Sequence, residues 1–91
     1  MTTTYRRASR YECKELEGEF AIMELDSRAM VMLDPAGQLV WHAIEHRITL
    51  DDLEAAFRDA FPDMGRDTIR HDIQGVLDAL VAANLALISE E

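Results

Sequence analysis

The sequence predicts an α+β domain in which a small antiparallel sheet is followed by three helices. Two observations carry this. Residues 11–33 contain short apolar stretches separated by Glu17-Gly18 and by Asp26-Ser27-Arg28, breaks of hairpin length. After Asp34-Pro35 the apolar spacing changes from every second residue to every third or fourth, which is the change from strand to helix. Strands followed by helices place the helices on one face of the sheet.

The elements follow in chain order. Residues 1–10, MTTTYRRASR, read as a flexible N-terminal tail, and residues 11–88 as a single domain. YECKEL (11–16) is the first expected strand and EFAIMEL (19–25) the second. In the second, Phe20, Ile22 and Glu24 share one face while Ala21, Met23 and Leu25 share the other. The charge on Glu24 marks its face as the wetter one. AMVML (29–33) is the third strand, and its run of five apolar residues suits a strand covered on both sides. As the last strand of a meander it lies at the edge. It carries no Lys, Pro or inward charge to keep another chain from pairing with it.

Asp34 is an N-cap residue and Pro35 suits the first helical position. The first helix runs from there to about His46, anchored by Val40, Trp41 and Ile44. Thr49 with Asp52 opens the second helix, whose apolar face is Leu50, Leu53, Phe57 and Phe61 and which stops before Pro62. The third begins near Asp67 and carries Ile69, Ile73, Val76, Leu77 and Leu80 on one stripe. Asn84 closes it in a left-handed cap, and LALI (85–88) packs back onto the core.

Ninety-one residues with 48% apolar content make one domain with a real core. The net charge of −9 repels nucleic acid and anionic membranes. The basic residues Arg6, Arg7, Arg10 and Lys14 at the N-terminal end are too few to reverse this. The single cysteine, Cys13, forbids an internal disulfide and suits a reducing cytoplasm. No apolar run reaches the ~18 residues of a membrane span, and the N-terminus lacks the apolar region of a secretory signal.

No catalytic set stands out. His42-Ala43-Ile44-Glu45-His46 spells the H-x-x-E-H of a zinc protease family. A third ligand and a substrate cleft are missing from so short a chain, so the two histidines read as surface residues near a helix end. Cys13 has Lys14 beside it but no neighbouring histidine base. Gly18, Gly37, Gly65 and Gly75 are scattered, which excludes a phosphate-binding loop. The chain is therefore expected to be no enzyme, with no metal and no cofactor. Three helices beside a small sheet also describe a winged helix-turn-helix. Its recognition helix here would offer Asp67, Asp72 and Asp78 against Arg70, a poor face for phosphates, so DNA binding is the less favoured alternative. A generic interaction module that dimerises through the third strand is the other alternative. Met23, Met30 and Met32 cluster in or beside the strand pair; methionine suits surfaces that take varied apolar partners.

The segments EFAIMELDSRAMVML, LDPAGQLVW, TLDDLEAAFRDAF and DIQGVLDALVAANLALI, together spanning most of Glu17 to Ile88, resemble the PqqD-like family. These are the recognition elements for precursor peptides that are made ribosomally and then modified. The family pattern has a strand ending in Leu-Asn or Leu-Asp, then Pro or a small residue, Gly or Ala, and an apolar-Trp pair. Leu33-Asp34-Pro35-Ala36-Gly37 and Val40-Trp41 fit it. The pyrroloquinoline-quinone member itself reads differently at the third strand and the first-helix junction, so that pathway is not assigned.

The resemblance implies a winged-helix-like, non-catalytic domain of the freestanding kind found beside lasso-peptide leader peptidases and radical SAM enzymes. Such a domain binds the leader of a precursor peptide as an added strand and delivers it to a partner enzyme, for instance a leader peptidase, a cyclase or a radical SAM enzyme. Carried onto this sequence, the peptide-binding residues are Arg28, Ala29, Met30, Val31, Met32 and Leu33 along the strand, with Ile69, Arg70, Ile73 and Leu77 as the helix wall. Arg28 and Arg70 would steer acidic leader residues, whereas the acidic remainder would favour a basic segment; the residues leave both open.

Overall fold

The computed structural model describes residues 2–90, apart from the side chain of Leu16. Two three-stranded antiparallel sheets flank three helices. The first sheet joins β2 (Tyr11–Leu16), β3 (Glu19–Glu24) and β4 (Met30–Leu33) in that order. The second has the order β5-β1-β6, with β1 (Thr3–Arg7) between β5 (Ile48–Thr49) and β6 (Ala86–Glu90). The helices are α1 (Pro35–Ala43), α2 (Leu50–Ala60) and α3 (Arg66–Ala82).

The meander and the three helices fall where the residue pattern puts them, and their local causes are visible. Glu17 and Gly18 both have positive φ, as a two-residue hairpin turn matched to strand twist requires. The Asp34 side chain accepts from the Gly37 backbone N–H at 2.8 Å, and Pro35 occupies the first turn of α1. The Thr49 hydroxyl accepts from the Asp52 N–H at 3.1 Å and starts α2. Asn84 follows α3 with φ 61°, the expected left-handed cap. The first helix is shorter than expected: it ends at Ala43, and Ile44 is its C-cap.

The second sheet corrects the reading of residues 1–10 as a flexible tail; Met1 lies outside the described residues. Thr3 to Arg7 pair along their length with Ala86 to Glu90, and Thr4 and Tyr5 also pair with Thr49 and Ile48. Thr4 and Tyr5 are buried. Alternation is hard to read in TTYRR, because Tyr5 is its single large apolar residue. Likewise LALI is more than a packed tail, since it leads into β6 with Leu85 and Ala86 in the core.

The core gathers Tyr5, Ile22, Leu33, Val40, Trp41, Ile44, Leu53, Phe57, Ile69, Ile73, Leu77, Leu80, Leu85 and Ala86. Trp41 is its largest fully buried side chain and stands edge-on to Tyr11, with ring centroids 4.9 Å apart. Burying aromatic and aliphatic groups of this size supplies most of the favourable free energy of a small domain.

The wetter face of β3 is reversed from expectation. Ile22 and Glu24 are buried and point inward, while Ala21 and Met23 are half-buried on the outer face. Glu24 is tolerated because its two carboxylate oxygens accept the backbone N–H groups of Asp26 and Ser27, at 3.0 and 2.9 Å. A buried carboxylate with such donors acts as a turn-former. It closes the segment between β3 and β4, where Arg28 has φ 64° and its N–H donates to the Glu24 carbonyl at 2.8 Å.

Candidate functional site

β4 pairs with β3 alone, so one side of it is a free sheet edge among the described residues. The register fixes which groups are free. Glu24 N–H donates to the Ala29 carbonyl at 2.8 Å, and antiparallel ladders alternate between bonded and non-bonded pairs. Counting along the register, Ile22 with Val31 and Phe20 with Leu33 are the bonded pairs. Met30 and Met32 therefore turn their N–H and C=O groups to the open side. Their side chains are also the most open large apolar groups in the strand, 56% and 54% exposed.

A groove runs between β4 and α3. Two depressions of ≈ 490 Å³ and ≈ 340 Å³ share Met32, Leu33, Asp34 and Val76. The first continues over Gly18, Glu19, Pro35 and Gln38. The second adds Val31 and Ala36 on one side and His71, Asp72, Gly75 and Ala79 of α3 on the other. The floor is apolar, and the rim carries Glu19, Asp34 and Asp72 with His71. An open edge beside an apolar trough can hold an extended chain: main-chain bonds along the strand, alternate side chains in the trough.

The expected strand residues come together here, with two refinements. Ala29 lies just before β4, in the closure of the turn, and Arg28 is exposed within that turn. The expected helix wall is corrected. Ile69, Ile73 and Leu77 are 2%, 0% and 0% exposed and belong to the core, so they have no surface left for a peptide. Arg70 is not in the groove; its guanidinium donates from Nε to Glu54 Oε1 at 2.6 Å, toward α2. The wall is instead the adjoining stripe His71, Asp72, Gly75, Val76 and Ala79. The most apolar stripe of a helix faces its own core, and the groove wall is the weaker stripe beside it. Facing rather than hydrophobicity would have found it: Gly75 and Ala79 stand one turn apart on that neighbouring line.

Two buried carboxylates are shifted. The backbone N–H groups of Asp26 and Ser27 hold the Glu24 carboxyl below the usual carboxylate range. The hydrogen bond from Arg70 does the same for Glu54, which is otherwise buried. Both groups are structural, one fixing the turn into β4 and the other joining α2 to α3.

The H-x-x-E-H pattern has no helical geometry, because α1 stops at Ala43, before Glu45 and His46. His42 instead stands beside Phe20, with ring centroids 6.3 Å apart. Cys13 is exposed on β2. Among the described residues, no helix is long and apolar enough to cross a membrane.

The family model described as PqqD, coenzyme PQQ synthesis protein D, matches residues 19–86. No curated protein matches the sequence. Among solved structures, that of TbiB1 in complex with the TbiA(beta) leader peptide is similar, with a TM-score of 0.72 and 19% identity. The match covers 89% of this chain and 93% of that one. The likeness is one of fold.

Proposed function

The chain belongs to the PqqD family, and from that premise we propose that it recognises the leader segment of a ribosomally made precursor peptide. The leader adds as a strand to β4, antiparallel or parallel, and its alternate side chains fill the groove against α3. The chain then delivers the precursor to a partner enzyme and performs no chemistry of its own. The observation that carries this reading is the free edge at Met30 and Met32 beside an apolar trough. The similar fold of TbiB1, whose structure was solved with a leader peptide, supports it.

The energetics require both halves of the site. Met30 and Met32 offer two donors and two acceptors between them. At about 0.5–1.5 kcal/mol net per hydrogen bond, these alone do not offset the ordering of a flexible segment. Apolar contacts with Val31, Val76 and Ala79 on the groove side, and with the methionine side chains on the outer side, supply the remainder. Glu19, Asp34 and Asp72 on the rim, with Arg70 engaged elsewhere, favour a basic or neutral segment over an acidic one.

Titration of the isolated protein with synthetic leader segments of the short precursors encoded around its gene tests the reading. Saturable binding that shifts the backbone amide resonances of Met30 and Met32 is expected. Binding that leaves those resonances unmoved, or no binding to any of these leaders, overturns it. The same edge could instead pair with a second copy. A stable dimer in solution that leaders fail to dissociate would favour that alternative.

A further inference from the structure

Three of the four glycines have a reason within the chain itself. Gly18 has φ +83° in the hairpin turn. Gly37 lies under Leu33, where a Cβ would come within 2.9 Å of the leucine Cδ2 and 3.2 Å of its Cβ. Gly65 is the N-cap of α3, a position that favours glycine.

Gly75 has none of these. It sits in the middle of α3, its φ is not positive, and a Cβ built on it meets nothing within 4 Å. Glycine is the least favoured residue but proline in a helix interior, because it loses the most backbone freedom on folding. The folded chain thus forgoes helix stability at Gly75 and gains no packing of its own in return. The one special thing about the position is where it faces: it lines the groove opposite β4, between His71 and Ala79 and beside Val76.

We propose that Gly75 is a specificity-determining residue of the groove, its missing Cβ giving clearance for a large apolar side chain of a peptide bound along β4. This rests on the strand-addition reading and extends it to the kind of side chain accepted. With a hydrogen in place of a methyl, a bulky group reaches down to Val76 and the Leu33 side of the trough; with Cβ present it is held off the floor. Peptides with a small residue at that register position gain nothing from the clearance.

The test separates stability from binding. Ten-residue peptides are selected by display from a random library on the wild-type protein, labelled with fluorescein and titrated. They are expected to share one large apolar residue at a common position. Gly75→Ala is expected to raise Tm by about 4–8 °C, because the site is open and the helix gains propensity. The same variant is expected to weaken those peptides roughly tenfold or more, the penalty of overpacking a filled site. Against peptides whose large residue is replaced by Ala, wild type and Gly75→Ala should bind alike, so the two changes couple in a double-mutant cycle. Unchanged or tighter binding of the selected peptides by Gly75→Ala overturns the proposal, as does a lowered Tm, which would give Gly75 a structural reason. Selected peptides that bind Met32→Pro as well as wild type would show that they do not use the β4 edge. That result defeats the strand-addition reading itself, whereas loss on Met32→Pro with full retention on Gly75→Ala defeats the clearance role alone.

Discussion

The guanidinium of Arg7 lies 4.3 Å above the ring of Trp41, and its Nε donates to the Trp41 carbonyl at 2.8 Å. One residue of β1 thus holds both the ring and the backbone of the central helix residue of the core. A cation over an indole contributes about 0.5–2 kcal/mol, and the hydrogen bond adds to it. Its Nη1 also donates to the Tyr11 hydroxyl at 3.3 Å, so β1, β2 and α1 meet at one side chain.

Stability should report this junction directly. Trp41→Ala is expected to cost about 3–5 kcal/mol, enough to unfold a domain of this size. Arg7→Ala should cost less, about 1–2 kcal/mol, as loss of the stacking and the hydrogen bond. Deletion of residues 2–7 should be as damaging as Trp41→Ala, because β6 and β5 lose their common partner. Urea unfolding followed by far-UV circular dichroism checks all three, since Trp41 is the single tryptophan. A truncated chain as stable as the full one would restore the reading of this segment as a tail.

Proline placement along β4 should split binding from folding. Met32→Pro removes a donor on the free edge and leaves the β3–β4 ladder intact, since proline is tolerated on the open side of an edge strand. Leader binding should be lost while far-UV circular dichroism and Tm stay close to wild type. Val31→Pro removes a donor used by Ile22 and should loosen the hairpin itself. If Met32→Pro binds a leader normally, strand addition at this edge is wrong.

Arg70 provides a control outside the groove. Arg70→Ala should leave leader affinity unchanged within about twofold, because its guanidinium is committed to Glu54. It should lower stability, since Glu54 stays buried without its partner. Isothermal titration and thermal melts separate the two effects. A large loss of leader affinity without loss of Tm would return Arg70 to the binding surface.

Acid should weaken the fold through Glu24 and Glu54. Both carboxyls have folded values below the ordinary glutamate value of 4.5. The unfolded chain therefore binds protons more readily, and the stabilisation is complete above that ordinary value. It is lost as pH falls from there through the lower folded values. Glu24→Gln and Glu54→Gln should each flatten the decline in Tm over this acid range. Parallel curves for wild type and both variants would show that these carboxylates are not the groups responsible.

The meander, the helix starts and the open edge were legible because each has a local cause: Glu17-Gly18, Asp34-Pro35, Thr49 and the undefended AMVML. The second sheet was not, because its reasons are distant. β1 becomes a strand through partners at 48–49 and 86–90, which no window around TTYRR contains. Glu24 misled for a related reason. A carboxylate usually marks the wet face, but here two N–H groups from the following turn satisfy it inside. The groove wall was misread because the apolar stripe of α3 was assigned to a partner when the core already claims it.

The pairing of β1 with β6 also sets an order of events during synthesis. Thr3 lies opposite Glu90 and Arg7 opposite Ala86, so the strand that leaves the ribosome early must wait for one made after α3. The β2–β4 meander closes over short loops and can form as it emerges, the open edge of β4 included. A nascent chain that has the edge but not β6 holds Tyr5 and Arg7 unplaced, and with them the clasp on Trp41. The open edge is thus built before the chain that supports it is locked, and the complete fold should arrive with β6, as a late and cooperative step.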